Sequence, residues 1–131
     1  MSLFNSLFGG DSPNKDNNQS TFGWNDLTDL KQLDEIVSES AERPVIIFKH
    51  STRCGISRMA IKGFEKEYDI APDRAKPYYL DLLNHREISS AIADKFGVYH
   101  ESPQLLLIKD GKAVYHESHG SISAAALTGK I

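Results

Sequence analysis

Residues Val45-Ile46-Ile47-Phe48 form an unbroken apolar run of strand length, β-branched at three positions. Such a run has no polar face to turn toward water, so it belongs in the middle of a sheet with a covering layer on each side. The next apolar stretch is equally patterned. Ile56, Met59, Ala60, Phe64 and Tyr68 recur at helical offsets and define one face of a helix. Between strand and helix runs Lys49-His50-Ser51-Thr52-Arg53-Cys54-Gly55-Ile56-Ser57, which contains the only cysteine of the chain.

The rest of the chain supplies the layers. Asn25 or Asp26 can cap a helix whose Leu27, Leu30, Leu33 and Val37 share an arc of about 120°, ended by Glu42-Arg43-Pro44. Pro77-Tyr78-Tyr79-Leu80-Asp81-Leu82 reads as a second strand. Asn84 with Glu87 makes a capping-box-like start to a helix carrying Ile88, Ala91, Ile92 and Phe96, which Gly97 stops. Leu105–Ile108 and Ala113–Tyr115 flank Lys109-Asp110-Gly111-Lys112, where the Asp-Gly pair predicts a type I′ hairpin. A short helix over about 121–128 closes the chain. The first two strands, joined through a helix, are predicted parallel with a right-handed crossover, and the hairpin adds two antiparallel strands. The expected fold class is therefore α/β, a mixed four-stranded sheet with helices on both faces, in one domain over residues 24–131. Residues 1–23, rich in Gly, Ser, Asn and Asp after Phe8, read as a flexible leader. Leu3, Phe4, Leu7 and Phe8 share a face if helical, which can dock on the domain, a second copy or a membrane surface.

Composition narrows the functions. The net charge of −3 carries no basic excess for nucleic acid. One cysteine cannot close an intramolecular disulfide, and no apolar run approaches the roughly 18–20 residues that span a bilayer. The N-terminus also lacks a basic region followed by a long apolar one. A cytoplasmic protein without integral membrane insertion is expected. His85, His100, His116 and His119 have no metal-ligand spacing with Cys54, so no metal site is expected.

Cys54 sits at a strand-to-helix turn, where unpaired N–H groups and the positive end of the helix dipole favour a thiolate. A thiolate attacks a disulfide sulfur through a mixed disulfide, which needs exposure and room for a second sulfur. Arg53 before it and Gly55 after it argue against a slot in the core, so Cys54 is read as the catalytic nucleophile rather than a structural thiol. Ser57 stands one helical turn on, where a dithiol enzyme places its resolving cysteine. Its hydroxyl either hydrogen-bonds the thiolate or serves the first turn of the helix. Thr52 can donate to the sulfur. Arg53 and Lys49 can bring positive charge to an anionic thiol substrate, or be solvated loop cations. His50 is the remaining acid or base candidate, although a histidine after a strand is usually structural or exposed.

This element order, with a cysteine at the end of the first core strand, resembles the thioredoxin fold over residues 24–131. Within that superfamily the segment from Lys49 to Ser57, with Arg43-Pro44 before the strand and Ser102-Pro103 later, looks most like the monothiol bacilliredoxins, small cytosolic proteins of bacteria that use bacillithiol. Their motif usually has proline where this chain has Gly55, a change in helix-start rigidity that leaves the nucleophile in place. The resemblance implies a monothiol–disulfide oxidoreductase: Cys54 attacks a bacillithiolated client protein, takes over the bacillithiol, and is freed by another low-molecular-weight thiol. It implies no bound cofactor, the small thiol being a co-substrate, and a monomer or weak dimer. It also implies a cis-proline at Ser102-Pro103 facing the cysteine, where the Ser102 backbone can pair with an extended substrate. Gly55 joins Lys49 and Arg53 on the substrate side. Gly120-Ser121, after His119 and ahead of the last helix, either offer free N–H groups to a carboxylate such as the malate of bacillithiol or form a plain cap.

Two other readings stand beside this one. Cys54-Gly55-Ile56-Ser57 is one residue from the Cys-Gly-Phe-Ser signature of monothiol glutaredoxins, which carry an iron–sulfur cluster between two subunits with glutathione as co-ligand. Their double glycine after the last strand is absent, Glu117-Ser118-His119-Gly120 standing there. The other is a non-catalytic thioredoxin-like interaction module whose thiol senses oxidation. A peroxiredoxin wants its threonine three residues before the cysteine, and Thr52 is two before.

Overall fold

Strand β2, Val45–His50, is buried along its whole length at the centre of the sheet, and its alternation divides the interior into two cores. Val45 and Ile47 face Leu33 and Ile36 of helix α1 (Lys31–Ser40) and Ile88 and Ile92 of helix α3 (Arg86–Phe96). Ile46 and Phe48 face Ile61 and Phe64 of helix α2 (Gly55–Glu67) and Ala124 and Leu127 of helix α4 (Ala124–Thr128). Each such side chain gains about 1.5–3 kcal/mol on full burial. Moving β2 by one residue would exchange every contact in both cores. The computed structural model describes residues 22–131, and the apolar face expected over Leu3–Phe8 lies outside them. Phe22 packs its ring 4.6 Å from Trp24 and 4.7 Å from Tyr68.

The remaining strands are β1 (Asn25–Asp26), β3 (Lys76–Asp81), β4 (Gln104–Lys109) and β5 (Lys112–Ser118), in the order β1-β3-β2-β4-β5. As expected, β3 runs parallel to β2 and the β4–β5 hairpin is antiparallel. The sheet has five strands rather than the expected four. Asn25 and Asp26 add to the edge of β3 in parallel, held by Asn25 Nδ2 donating to Pro77 O at 3.0 Å and Leu27 N–H to Tyr79 O at 2.9 Å. Two polar residues carry no strand pattern of their own, so only the neighbouring backbone makes them one.

That edge also displaces the first helix. Neither Asn25 nor Asp26 caps it: α1 begins at Lys31, whose N–H donates to Asp29 Oδ1 at 2.9 Å. Gln32 Oε1 accepts the N–H groups of Thr28 and Asp29 and its Nε2 donates to Asp26 O, which satisfies the backbone ahead of the helix in a turn. Leu30 is consequently exposed, and Leu33 and Ile36 form the buried stripe. Asn84 does not cap α3 either, because its amide donates to Asp81 Oδ2 at 2.8 Å.

The α2 face differs more. Ile56 and Met59, expected inward, are exposed, and the buried stripe is Ser57, Ile61 and Phe64. Ile61 and Phe64 lie one and two turns beyond Ser57, so their packing under β2 turns Ser57 inward and Ile56 and Met59 outward. Among the described residues, no helix is long and apolar enough to cross a membrane.

The hairpin turn has Asp110 at φ 51° and Gly111 at φ 76°, the two positive values of a type I′ turn. It docks on α1: Asp110 N–H donates to Ser40 O at 2.9 Å and Gly111 N–H to Ser40 Oγ at 2.8 Å. A Cβ on Gly111 would lie 3.3 Å from Val37 Cγ1. Gly111→Ala should therefore cost about 1–2 kcal/mol, the usual penalty for a side chain in the left-handed region. Gly63, helical and with nothing within 4 Å of its would-be Cβ, should respond oppositely, Gly63→Ala gaining about 0.5–1 kcal/mol. Urea unfolding of the two variants against the parent checks both signs.

Candidate active site around Cys54

The sheet brings three segments to one end. Lys49 pairs with Gln104, so the loop leaving β2 and the turn entering β4 lie side by side. That turn contains the Ser102–Pro103 peptide, which is cis. Pro103 O accepts the His119 N–H at 3.0 Å, which draws in the end of β5. Cys54 immediately precedes α2 with extended backbone, φ −103° and ψ 121°, and its side chain is half-buried and makes no capping bond. Arg58 N–H is the first to bond back, to Cys54 O at 3.0 Å. The three N–H groups before it have no acceptor within the helix, so the thiol stands at the positive end of a 13-residue helix.

Ser57, in the resolving-cysteine position, is fully buried beneath the loop. Its hydroxyl oxygen accepts the Ser51 N–H at 3.0 Å and is hydrogen-bonded to His50 Nδ1 at 2.8 Å. Of the two roles open to it, this geometry engages the hydroxyl with the loop backbone and the imidazole; among the described residues no side-chain bond reaches Cys54. Burial lowers the pKa of His50 below the usual histidine value, with the Asp81 carboxylate pulling the other way. The buried imidazole lies on the core side of the helix and, through Ser57, props the loop.

Lys49 corrects the sequence reading. It neither faces a substrate nor lies in solvent, because the alternation of β2 sends it to the α3 side, where it is completely buried. Its ammonium is 3.3 Å from His100 Nδ1 and makes a long contact of 3.5 Å to Ser89 O. Among the described residues it has no carboxylate partner, and burial pushes its pKa down to about 8.

The other candidates stay at the surface end. Thr52 and Arg53 are exposed. Thr52 uses its carbonyl, accepting Arg58 Nη1 at 3.3 Å, and that guanidinium also lies nearest to a would-be Cβ on Gly55, at 3.8 Å. Arg58 is a residue that sequence reasoning misses. The signal was its place four residues after Cys54, since helical side chains lean back toward the N-terminus. Ser102 Oγ is buried with no hydrogen-bond partner. Gly120 and Ser121 do not begin the last helix. They belong to a separate 3₁₀ turn, His119–Ser121, and α4 starts only at Ala124, so the expected helix-start cradle is not there. With Ile56, Met59 and Gly63 of α2, His119 and Gly120 line an open groove along that helix.

Comparison with known proteins agrees with this geometry. A family model described as monothiol bacilliredoxin BrxC matches residues 25–127. A solved structure described as a candidate oxidoreductase with a thioredoxin fold is 32% identical, with a TM-score of 0.68 over 79% of this chain and 89% of its own. Thioredoxin from Malassezia sympodialis has a TM-score of 0.64 at 16% identity, covering 87% of this chain and 95% of its own. Mitochondrial thioredoxin 3 from Saccharomyces cerevisiae has 0.61 at 19%, covering 82% and 92%. These last two share the fold.

Two stability measurements test the supports. Ser57→Ala leaves the Ser51 N–H and the His50 ring unpaired beneath the loop, and should cost about 1–3 kcal/mol. Lys49→Met removes a buried cation and should raise stability at pH 7 by about 1–3 kcal/mol. Unfolded lysine titrates near 10.4, against about 8 in the native protein. Between those values the unfolded state holds more protons, so the parent gains stability with rising pH. The advantage of the methionine variant should shrink between about pH 8 and 10, as urea titrations at several pH values will read.

Proposed function

Because the chain belongs to the monothiol bacilliredoxin family, whose model covers residues 25–127, we propose that it is a monothiol–disulfide oxidoreductase that removes bacillithiol from bacillithiolated client proteins. The observation carrying this reading is the pairing of an available Cys54 thiol with a buried serine in the resolving position. The Cys54 thiolate attacks the bacillithiol sulfur of the client mixed disulfide. A new Cys54–bacillithiol disulfide forms, the client sulfur leaves as a thiolate, and solvent protonates it. With no second thiol in the chain, a second bacillithiol must attack the adduct, forming bacillithiol disulfide and regenerating Cys54.

Specificity for the small thiol falls to the surface around the cysteine. Arg53 is exposed beside it and Arg58 folds back over Thr52. Guanidinium groups there suit the malate carboxylates of bacillithiol. The backbone of Ser102, next to the cis-proline, suits an extended client segment. No resident cofactor enters the scheme.

Intact mass spectrometry is the direct test. Within minutes of mixing with oxidised bacillithiol, the protein should carry one bacillithiol, and Cys54→Ser should carry none. Preference for glutathione would reassign the small thiol, and no adduct with bacillithiol, glutathione or coenzyme A would overturn the exchange chemistry.

A further inference from the structure

Lys49 is the only fully buried lysine among the described residues. A buried cation without a carboxylate is costly to keep, and an apolar side chain of similar length would fill the same space at less cost. What lysine adds is a hydrogen-bond donor, and its nearest acceptor is His100 Nδ1 at 3.3 Å, which Ser89 Oγ also reaches at 3.1 Å. Beside it on β4, Gln104 is its register partner, 1% exposed, and donates Nε2 to Tyr99 O at 2.9 Å. Adjacent strands thus each send one polar side chain to the same segment, Tyr99–Ser102. That segment has little else to hold it: Val98 is its last apolar anchor, Tyr99 is 88% exposed, and His100 and Glu101 are exposed as residues. It leads straight into the cis Ser102–Pro103 peptide beside the cysteine loop.

We propose that Lys49, together with Gln104, is a positioning residue for the exchange reaction, holding the Tyr99–Ser102 segment where Ser102 meets the substrate backbone. This rests on the reading of Cys54 as the exchanging thiol. The lysine end of the clamp works only while His100 is neutral, since an ammonium donates to Nδ1 only when that nitrogen keeps its lone pair. Protonating the ring removes the acceptor and sets two cations 3.3 Å apart. Burial of its inner edge, Lys49 and Arg86 of α3 all oppose that protonation, and Glu101 alone favours it, so His100 is held below the ordinary histidine value. Among the described residues, the Lys49 ammonium hydrogen-bonds only the neutral Ser89 besides His100. The clamp therefore opens on acidification.

The test compares the parent with Lys49→Met, checked for folding by circular dichroism. On a bacillithiolated model protein the variant should show KM raised about five- to tenfold, the loss of one positioning hydrogen bond. Alkylation of Cys54 by iodoacetamide should keep its rate. The parent's KM should rise as pH falls through the His100 midpoint, and the variant's should not. Independently of turnover, NMR titration should find that midpoint moved up toward the ordinary histidine value in the variant. An unmoved His100 midpoint overturns the clamp, as does an unchanged KM. A changed alkylation rate at unchanged KM would instead make Lys49 an influence on the thiol. If the parent fails to turn over any bacillithiolated protein, the functional reading falls, and the His100 titration alone decides whether Lys49 holds the segment.

Discussion

Everything at the reactive end of this protein depends on β2 being buried on both faces. Strict alternation makes the apolar residues Val45 to Phe48 serve two cores in turn. The same alternation continues into the two polar residues that end the strand, and it cannot be switched off for them. Lys49 is sent under α3 and His50 under α2. Each meets a hydrogen-bonding partner that bears on a loop of the site: Ser57 beneath the cysteine loop, His100 in the segment that leads to the cis-proline. The central strand therefore supports both halves of the site from opposite sides of one sheet.

The position where a dithiol enzyme carries its second sulfur is part of the same support. In the dithiol scheme, the residue one turn into the helix faces the nucleophile and resolves its adduct. Here that residue is turned into the core and its hydroxyl is committed to Ser51 and His50. The turn that hides Ser57 also exposes Ile56 and Met59, which line a groove along α2 with His119 and Gly120. The inward Ser57 and the outward apolar rim follow from one orientation of α2.

How much of this was legible varies with the kind of signal. Strands β2 to β5, the three longer helices, the parallel crossover, the type I′ turn and Cys54 at the strand-to-helix turn could all be read from pattern, because each is set by residues close in sequence. Strand β1 could not, since Asn25 and Asp26 become a strand only when Tyr78 and Tyr79 offer a free edge. The start of α1 is not legible from the chain either, because Gln32 takes up the backbone ahead of it. Ile56 and Met59 fit a helical apolar face as well as Ile61 and Phe64 do, and sequence spacing alone cannot say which stripe the sheet will take.

The sequence by itself determined the element types, the sheet's central strand and the place of the one thiol at a strand-to-helix turn, because periodicity, turn chemistry and a single cysteine are local properties. Only the tertiary structure decided which side of each element faces inward. That choice buried Ser57 and His50 beneath the cysteine loop, turned Lys49 from an expected surface cation into a buried donor, and brought Arg58 over the loop. A side chain's role there depends on the total burial of two cores, a sum over distant contacts that no short stretch of chain contains.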